Sequence, residues 1–126
     1  MPGLIIGVGL RPSTSTESVR LAIREVLSER MDGRLTGLAT LDRRAREPVL
    51  RAIAVEFGVP LHGYSAAELA TVAVGEPSSR TAAAVGAASV AEAAALLAAD
   101  GGRLVIARRV SQGVVVAVAE HGCDVR

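Results

Sequence analysis

The sequence predicts an α/β protein: a three-layer α/β/α domain with a mixed sheet of about five strands. Short apolar runs alternate with amphipathic stretches along almost the whole chain. Serine or threonine followed three residues later by glutamate, a spacing typical of helix starts, occurs at Thr14, Ser65 and Ser89. At 126 residues the chain is long enough to bury a core of its own, so we expect a single domain over residues 1–126.

The first half of the chain contains three predicted strands and three predicted helices. The strands are Leu4 to Gly9, residues 35–41 and residues 59–64. The first helix runs from Ser15 to about residue 30, with one apolar face. The second begins near Pro48 and stops at Gly58, and a short third helix follows Ser65.

The second half is rich in alanine and then in valine. We expect a short alanine-rich helix that ends at Gly86, and a longer helix that starts at the Ser89 cap and ends at Ala99. Strands at residues 104–107 and 114–119 follow, and residues 111–113 form the hairpin turn between them. The expected architecture therefore has helices on both faces of the sheet.

Composition excludes several classes of partner. The formal net charge is +1 and the aromatic residues are one phenylalanine and one tyrosine, so we expect no nucleic acid as a partner. The single cysteine provides neither a disulfide framework nor a cysteine-based metal site, and we expect no metal or cofactor. The sequence does not indicate a signal peptide or a strongly apolar span, so we expect no membrane association and a cytoplasmic location.

The turn after the first strand has the character of an anion site. It combines bare glycine amides, hydroxyl groups, an arginine and a helix start. The candidate ligand-binding residues of this turn are Gly7, Gly9, Arg11, Ser13, Thr14 and Ser15. A dinucleotide fingerprint is excluded because Pro12 stands where a third glycine is needed, and a nucleotide P-loop because the chain has no lysine. A plain strand-to-helix turn remains the alternative.

Arginines also follow other predicted strands. Arg44 follows the second strand and Arg108 the strand that ends at residue 107. If these strands are parallel, their carboxyl ends share one edge, where ligands of such sheets bind. Arginine matches carboxylates in pairs, so the set predicts a ligand with several carboxylates. Solvated arginines, paired locally with acids, are the alternative.

Three further residues complete the candidate site. Asp42 and Glu47 are the acids near this edge and therefore the candidates for a catalytic role. Ser78 is a further candidate ligand contact, although a helix cap explains it more simply.

The ordered motifs resemble one known family over residues 3 to about 120: the CobE proteins of cobalamin biosynthesis and the C-terminal domain of CbiG. The motifs are Gly7-Val8-Gly9-x-Arg11-x-x-Thr14-Ser15, Thr40-Leu41-Asp42 with Arg44 and Glu47-Pro48, Gly58-Val59-Pro60-Leu61, Tyr64-Ser65, Glu68-Leu69, Pro77-Ser78, Gly86, residues 89–96 and the strand at 114–119. Leu10, Ser13, Arg44 and Arg108 depart from the residues usual in the family. The two arginines keep the positive charge of the family's lysines.

The resemblance implies a single CobE/CbiG C-terminal-like domain that acts on or binds a precorrin, a tetrapyrrole fringed with acetate and propionate groups. CbiG-like proteins are associated with opening the lactone of cobalt-precorrin-5A and releasing acetaldehyde. A free-standing domain resembles CobE more, which favours a binder or carrier over an enzyme. The alternatives are the C-terminal part of such a hydrolase, or an anion-binding interaction or regulatory subunit that works with other corrin-pathway enzymes. A phosphate-ester enzyme that uses the Gly7 to Ser15 turn lacks a lysine and an acidic metal cluster.

Overall fold

The computed structural model describes residues 3–10, 14–29, 34–72, 87–100 and 102–120. Its elements in chain order are β1 (Gly3–Gly9), α1 (Thr16–Leu27), β2 (Arg34–Leu41), α2 (Asp42–Ala45), α3 (Pro48–Phe57), β3 (Leu61–Tyr64), α4 (Ala66–Ala70), α5 (Ala87–Ala99), β4 (Arg103–Ser111) and β5 (Val114–Glu120). Arg11, Ser13, Ser78 and the helix expected before Gly86 lie outside the described residues. No helix within these ranges has both the length and the apolarity needed to cross a bilayer.

The described strands form one mixed sheet of five strands in the order β3-β2-β1-β5-β4. The pairs β1–β2 and β2–β3 are parallel, whereas β5 is antiparallel to both β1 and β4. Consequently β4 runs in the same direction as β1, β2 and β3. The carboxyl ends of these four strands lie along one side of the sheet, which we call the carboxyl edge.

Helices cover both faces of the sheet, which confirms the predicted three-layer α/β/α class. On one face, α1 and α3 pack with the large side chains of β1 and β5 into a core of leucine, isoleucine and valine, among them Ile6, Ile23 and Ile53. On the other face, α5 buries alanines against Ile5, Ala39 and Ala119. The two layers of helices therefore pack against the sheet with side chains of very different size.

Two predicted helix starts are wrong by one or two residues. The N-cap of α1 is Ser15, whose side-chain oxygen accepts from the backbone N–H of Ser18 at 3.1 Å, and not Thr14. Helix α5 begins at Ala87, so Ser89 lies within the helix and is not its N-cap. The capping box at Ser65 is confirmed, since Ser65 and Glu68 exchange both of its hydrogen bonds.

The fourth strand is longer than the sequence predicts. It continues through Arg108 and Arg109 to Ser111, so these arginines lie inside β4 and not beyond its end. The turn that follows consists of Gln112 and Gly113, both with positive φ (56° and 76°), the geometry of a tight hairpin turn. Charged residues in this strand are compatible with its position at an edge of the described sheet, because edge strands commonly carry charges.

Candidate functional site

Several of the candidate residues lie at or near the carboxyl edge, on different strands of the sheet. Arg44 belongs to α2, which starts directly after β2 ends. The pairing registers place Gly9 of β1 and Val110 of β4 opposite the same residue, Val115 of β5. Arg108 lies two residues before Val110, opposite Ala117, which is also the partner of Gly7. It therefore lies within its strand, two residues short of the level of Gly9, and β1 and β5 separate its strand from β2.

A buried hydroxyl joins β1 and β2 near their carboxyl ends. The side chain of Thr40 is fully buried, and its Oγ1 donates to the carbonyl oxygen of Val8 at 2.7 Å. A buried hydroxyl that lacks a partner costs free energy, so this bond holds the two strand ends in a fixed relation. The end of β1 at Gly9 and the start of α2 at Asp42 consequently lie on neighbouring strands.

Arg44 of α2 forms an ion pair with Glu47, the residue that precedes α3. Arg44 Nη1 lies 2.6 Å from Glu47 Oε2, and the arginine side chain is only 18% exposed. A guanidinium group carries five N–H donors in a fixed fork, so the pair orients Arg44 and leaves donors for another anion. The candidate catalytic carboxylate of Glu47 is engaged by this arginine.

Asp42 is the first residue of α2 and lies against β3. A Cβ atom at Gly63 would approach the Cα of Asp42 to 3.1 Å and the Cβ of Ala45 to 3.0 Å. The absence of a side chain at Gly63 therefore lets α2 pack directly on β3. Asp42 is half-buried there.

One residue of the predicted anion site, Gly7, has a packing role in the structure. Gly7 lies in the middle of the sheet beneath α5, where a Cβ atom would come within 1.9 Å of the Ala91 carbonyl oxygen. Close packing of a helix accounts for this glycine, so we do not retain Gly7 as a ligand contact. Gly9 ends β1, and Thr14 and Ser15 precede α1 at the carboxyl edge. The Ser15 hydroxyl serves the helix cap, since it accepts from Ser18 N–H and donates to Ser18 Oγ at 3.0 Å.

The arginines at the end of β4 differ in their partners. Arg109 forms an ion pair with Glu29, just after α1. Arg108 is exposed, and its backbone N–H donates to Glu92 Oε2 of α5 at 3.0 Å. Sequence reasoning assigned Glu92 to a capping box; a carboxylate amid the buried alanines of α5 was the signal for a tertiary contact.

The aromatic side chain of β3 is at the same edge. Tyr64 pairs with Leu41 at the end of β2, and its ring stacks on His62 with centroids 6.5 Å apart. Burial, with smaller contributions from the negative charges of Glu68 and Asp100, raises the pKa of Tyr64. The phenol is therefore a neutral hydrogen-bonding group at physiological pH. Within the described ranges, no three histidine, cysteine or acidic side chains are grouped so that they could hold a metal ion.

A family model and a curated relative both match this chain over most of its length. The family model described as "Cobalamin synthesis G C-terminus" matches residues 4–119. A curated relative, Protein CobE of Sinorhizobium sp., is 35% identical over 112 residues, which cover 86% of this chain and 73% of that protein.

Solved structures agree with this match. A crystal structure of CobE, a protein from the cobalamin (vitamin B12) biosynthetic pathway, superposes with a TM-score of 0.77 at 31% identity, over 94% of this chain and 93% of that chain. Cobalamin biosynthesis protein chiG from Agrobacterium tumefaciens has a TM-score of 0.75 at 30% identity, over 96% and 99%. A cobalamin biosynthesis protein G homolog from Sulfolobus solfataricus shares the fold, with a TM-score of 0.74 at 23% identity. The match covers 98% of this chain and 38% of that longer chain.

The fold and the site thus define a three-layer α/β/α domain with arginines and hydroxyl groups at its carboxyl edge. The chain belongs to the CobE/CbiG C-terminal family of cobalamin biosynthesis proteins. The resemblance drawn from the ordered sequence motifs is therefore confirmed.

Proposed function

We propose that the chain binds a precorrin or a related corrinoid acid at its carboxyl edge, as a binder or carrier in cobalamin biosynthesis. The proposal is carried by the topology: Arg44 follows the carboxyl end of β2, and Arg108 lies in the carboxyl-terminal half of β4, which runs in the same direction. Arginine forks suit the acetate and propionate groups that fringe a corrinoid acid. The named pathway of the CobE relatives supports the same ligand class.

The proposed contacts are limited to groups at that edge. Arg44 and Arg108 supply charge, Gly9 is the last residue of β1, and Thr14 lies just before α1. Arg11, Ser13, Ser15 and Ser78 remain candidate contacts on the sequence pattern. We propose a single domain for the chain, with other corrin-pathway enzymes as partners and the cytoplasm as its location, in keeping with a single cysteine.

Binding is favoured over hydrolysis by the position of the acids. A general base needs an available electron pair within hydrogen-bond reach of the attacking water. Glu47 is held by Arg44 at 2.6 Å, so its carboxylate already has a cationic partner. Asp42 remains the second candidate base.

A second function is supported by the family description. The matching model is that of the C-terminus of cobalamin synthesis protein G, and the chain covers 38% of the Sulfolobus homolog. A domain of this kind can serve as the C-terminal part of a larger cobalt-precorrin-5A hydrolase. In that case Asp42 or Glu47 acts together with groups of another domain.

Absorbance titration with hydrogenobyrinic acid tests binding. We expect saturable binding that weakens as salt is added, because charged contacts are screened. Arg44→Ala and Arg108→Ala should each weaken binding by about tenfold, since hydrogen bonds between charged groups are worth about 1.5–3 kcal/mol.

Matched control arginines lie at the opposite edge of the sheet. Arg34 begins β2 and Arg103 begins β4, so both are at the far edge of the sheet. Arg34→Ala and Arg103→Ala should leave the affinity nearly unchanged. Equal weakening by all four substitutions, or no saturable binding, would contradict the proposal. Steady release of acetaldehyde from cobalt-precorrin-5A by this chain alone would replace the carrier function with the hydrolase.

A further inference from the structure

The carboxyl-terminal half of β4 contains a bulge at Arg108. Ile106 pairs with Val118 and Arg109 pairs with Val116, so residues 107 and 108 both stand opposite Ala117. An extra residue in one strand interrupts the ladder of hydrogen bonds and changes the direction of the side chains that follow. Bulges of this kind occur frequently next to functional sites.

The side chain of Glu92 on α5 contacts β4 at this bulge. Its residue surface is 8% exposed, and its Oε2 accepts the backbone N–H of Arg108 at 3.0 Å. Burial of a carboxylate is costly unless hydrogen bonds compensate it. The neighbouring residues of α5, Ala91 and Ala93, are buried alanines, which shows how unusual a glutamate is in this layer.

We propose that Glu92 is a positioning residue of the ligand site: its buried carboxylate fixes the bulge at Arg108 and so sets the direction of the Arg108 guanidinium group. The inference rests on the proposed function, because it assigns Arg108 to a carboxylate of the corrinoid ligand. Arg109, the first residue after the bulge, already forms an ion pair with Glu29. The bulge therefore separates two adjacent arginines, one held by the protein and one exposed for the ligand.

Four variants test the proposal: Glu92→Ala, Glu92→Gln, Arg108→Ala and the double variant Glu92→Ala/Arg108→Ala. Affinity for hydrogenobyrinic acid is measured for each, together with the thermal unfolding midpoint. If Glu92 acts through Arg108, each alanine variant weakens binding by about tenfold, and the double variant is no weaker than Arg108→Ala, as expected for coupled residues. Glu92→Gln retains most of the affinity, because the amide oxygen can still accept the Arg108 N–H.

The matched control is Glu25→Ala. Glu25 of α1 binds the Ser111 hydroxyl and so ties the same strand to a helix on the other face. Loss of affinity in Glu25→Ala equal to that in Glu92→Ala would mean that any loosening of β4 weakens binding, and would overturn the proposal. So would additive losses in the double variant, or full affinity in Glu92→Ala.

A second measurement separates this proposal from the proposed function. Amide hydrogen exchange at Arg108 should become at least about tenfold faster in Glu92→Ala and stay unchanged in Glu25→Ala, since exchange reports local opening. If the wild-type chain binds no corrin acid, the proposed function is wrong. If exchange at Arg108 is unchanged in Glu92→Ala, the carboxylate of Glu92 does not fix the bulge, and the present proposal is overturned. If Glu92→Ala does not fold, Glu92→Met, which keeps the side-chain length but has only a weakly accepting sulfur in place of the carboxylate, replaces it in both measurements.

Discussion

The two faces of the sheet are packed by opposite means. The face beneath α1 and α3 is filled by large branched side chains, with Val19, Ile23 and Leu50 fully buried. The face beneath α5 is packed by alanines, and there the helix backbone lies directly over Gly7. One helix layer is therefore held away from the sheet by its side chains, and the other is held close because side chains are small or absent.

This difference predicts opposite sensitivities to mutation. On the α1 face, removal of methyl groups leaves a cavity, and the cost follows the volume lost. On the α5 face there is little volume to remove, and added atoms have no space because interiors are close-packed. The position of α5 also determines where Glu92 meets β4, so tight packing on this face is linked to the candidate site.

The largest effect is expected for Gly7→Ala. The new Cβ would lie 1.9 Å from the Ala91 carbonyl oxygen and 2.9 Å from the Ala95 nitrogen, both backbone atoms that cannot rotate away. We expect a loss of about 3 kcal/mol or more in the free energy of unfolding, measured by urea denaturation.

Gly37→Ala is the matched control for this substitution. Gly37 is also a strand glycine, but its added Cβ would meet the end of the Ile5 side chain at 3.0 Å, which can shift. We expect a loss below about 1 kcal/mol. Equal losses in the two variants would contradict the close approach of α5 to β1.

Enlargement of an α5 alanine should cost more than reduction of an α1 isoleucine. Ala94 and Ile23 are both fully buried, on opposite faces of the sheet. We expect Ala94→Val to lower the free energy of unfolding by about 2 kcal/mol through overpacking, and Ile23→Val by about 1 kcal/mol.

A valine at exposed Ala52 of α3 measures the cost of helix propensity alone. It should lower the stability by about 0.5 kcal/mol. If Ala94→Val costs no more than Ala52→Val, then space exists beneath α5 and the contrast between the faces is wrong.

Local patterns were sufficient to predict much of the fold. The apolar run ending in Gly9 predicts β1, and Pro48 and Gly58 bound α3, where Gly58 takes the left-handed conformation at φ 70°. Such signals are local, because a cap or a turn acts within a few residues of its own backbone. The same reasoning missed α2, a single four-residue turn of helix from Asp42 to Ala45, whose N-cap residue Leu41 makes no side-chain capping hydrogen bond.

The candidate site depends on contacts that local patterns do not show. Ser89 and Glu92 have the spacing of a capping box, yet Glu92 binds a backbone amide 16 residues away. That amide lies at a bulge, which the register of β4 with β5 determines. The two arginines after residue 107 predicted a loop, because two charged residues in a row are uncommon in a strand except at the edge of a sheet.

The two faces also differ in the pH range over which their ionisable groups should affect the free energy of unfolding. On the α5 side, burial raises the pKa of Tyr64, with Glu68 and Asp100 adding to the effect. Because the unfolded phenol ionises first, the stabilisation is present below about pH 10 and is lost as the pH rises through the folded-state pKa.

Tyr64 is the single tyrosine and the chain has no tryptophan, so ultraviolet absorbance of the phenolate reports this residue directly. We expect its titration in the folded protein to lie at higher pH than in urea-unfolded protein. Glu68→Gln should bring the folded titration closer to the unfolded one. Coincident titrations in the folded and unfolded states would place Tyr64 in water.

The smallest effect is expected on the α1–α3 side, at the exposed ion pair between Arg20 and Glu56. Arg20 Nε lies 2.8 Å from Glu56 Oε2, and hydrogen bonding to this arginine lowers the pKa of Glu56 below its ordinary value. A lowered folded-state pKa stabilises the protein above the unfolded pKa of about 4.3, and this stabilisation is lost as the pH falls through the folded value. In thermal unfolding from neutral pH to about pH 3, Glu56→Gln should therefore show a shallower fall than the wild type at the acid end. Tyr64→Phe should leave the acid limb unchanged and alter only the alkaline one. An acid limb that is unaffected by Glu56→Gln would mean that solvent screening removes the contribution of this pair, as it does for many surface ion pairs.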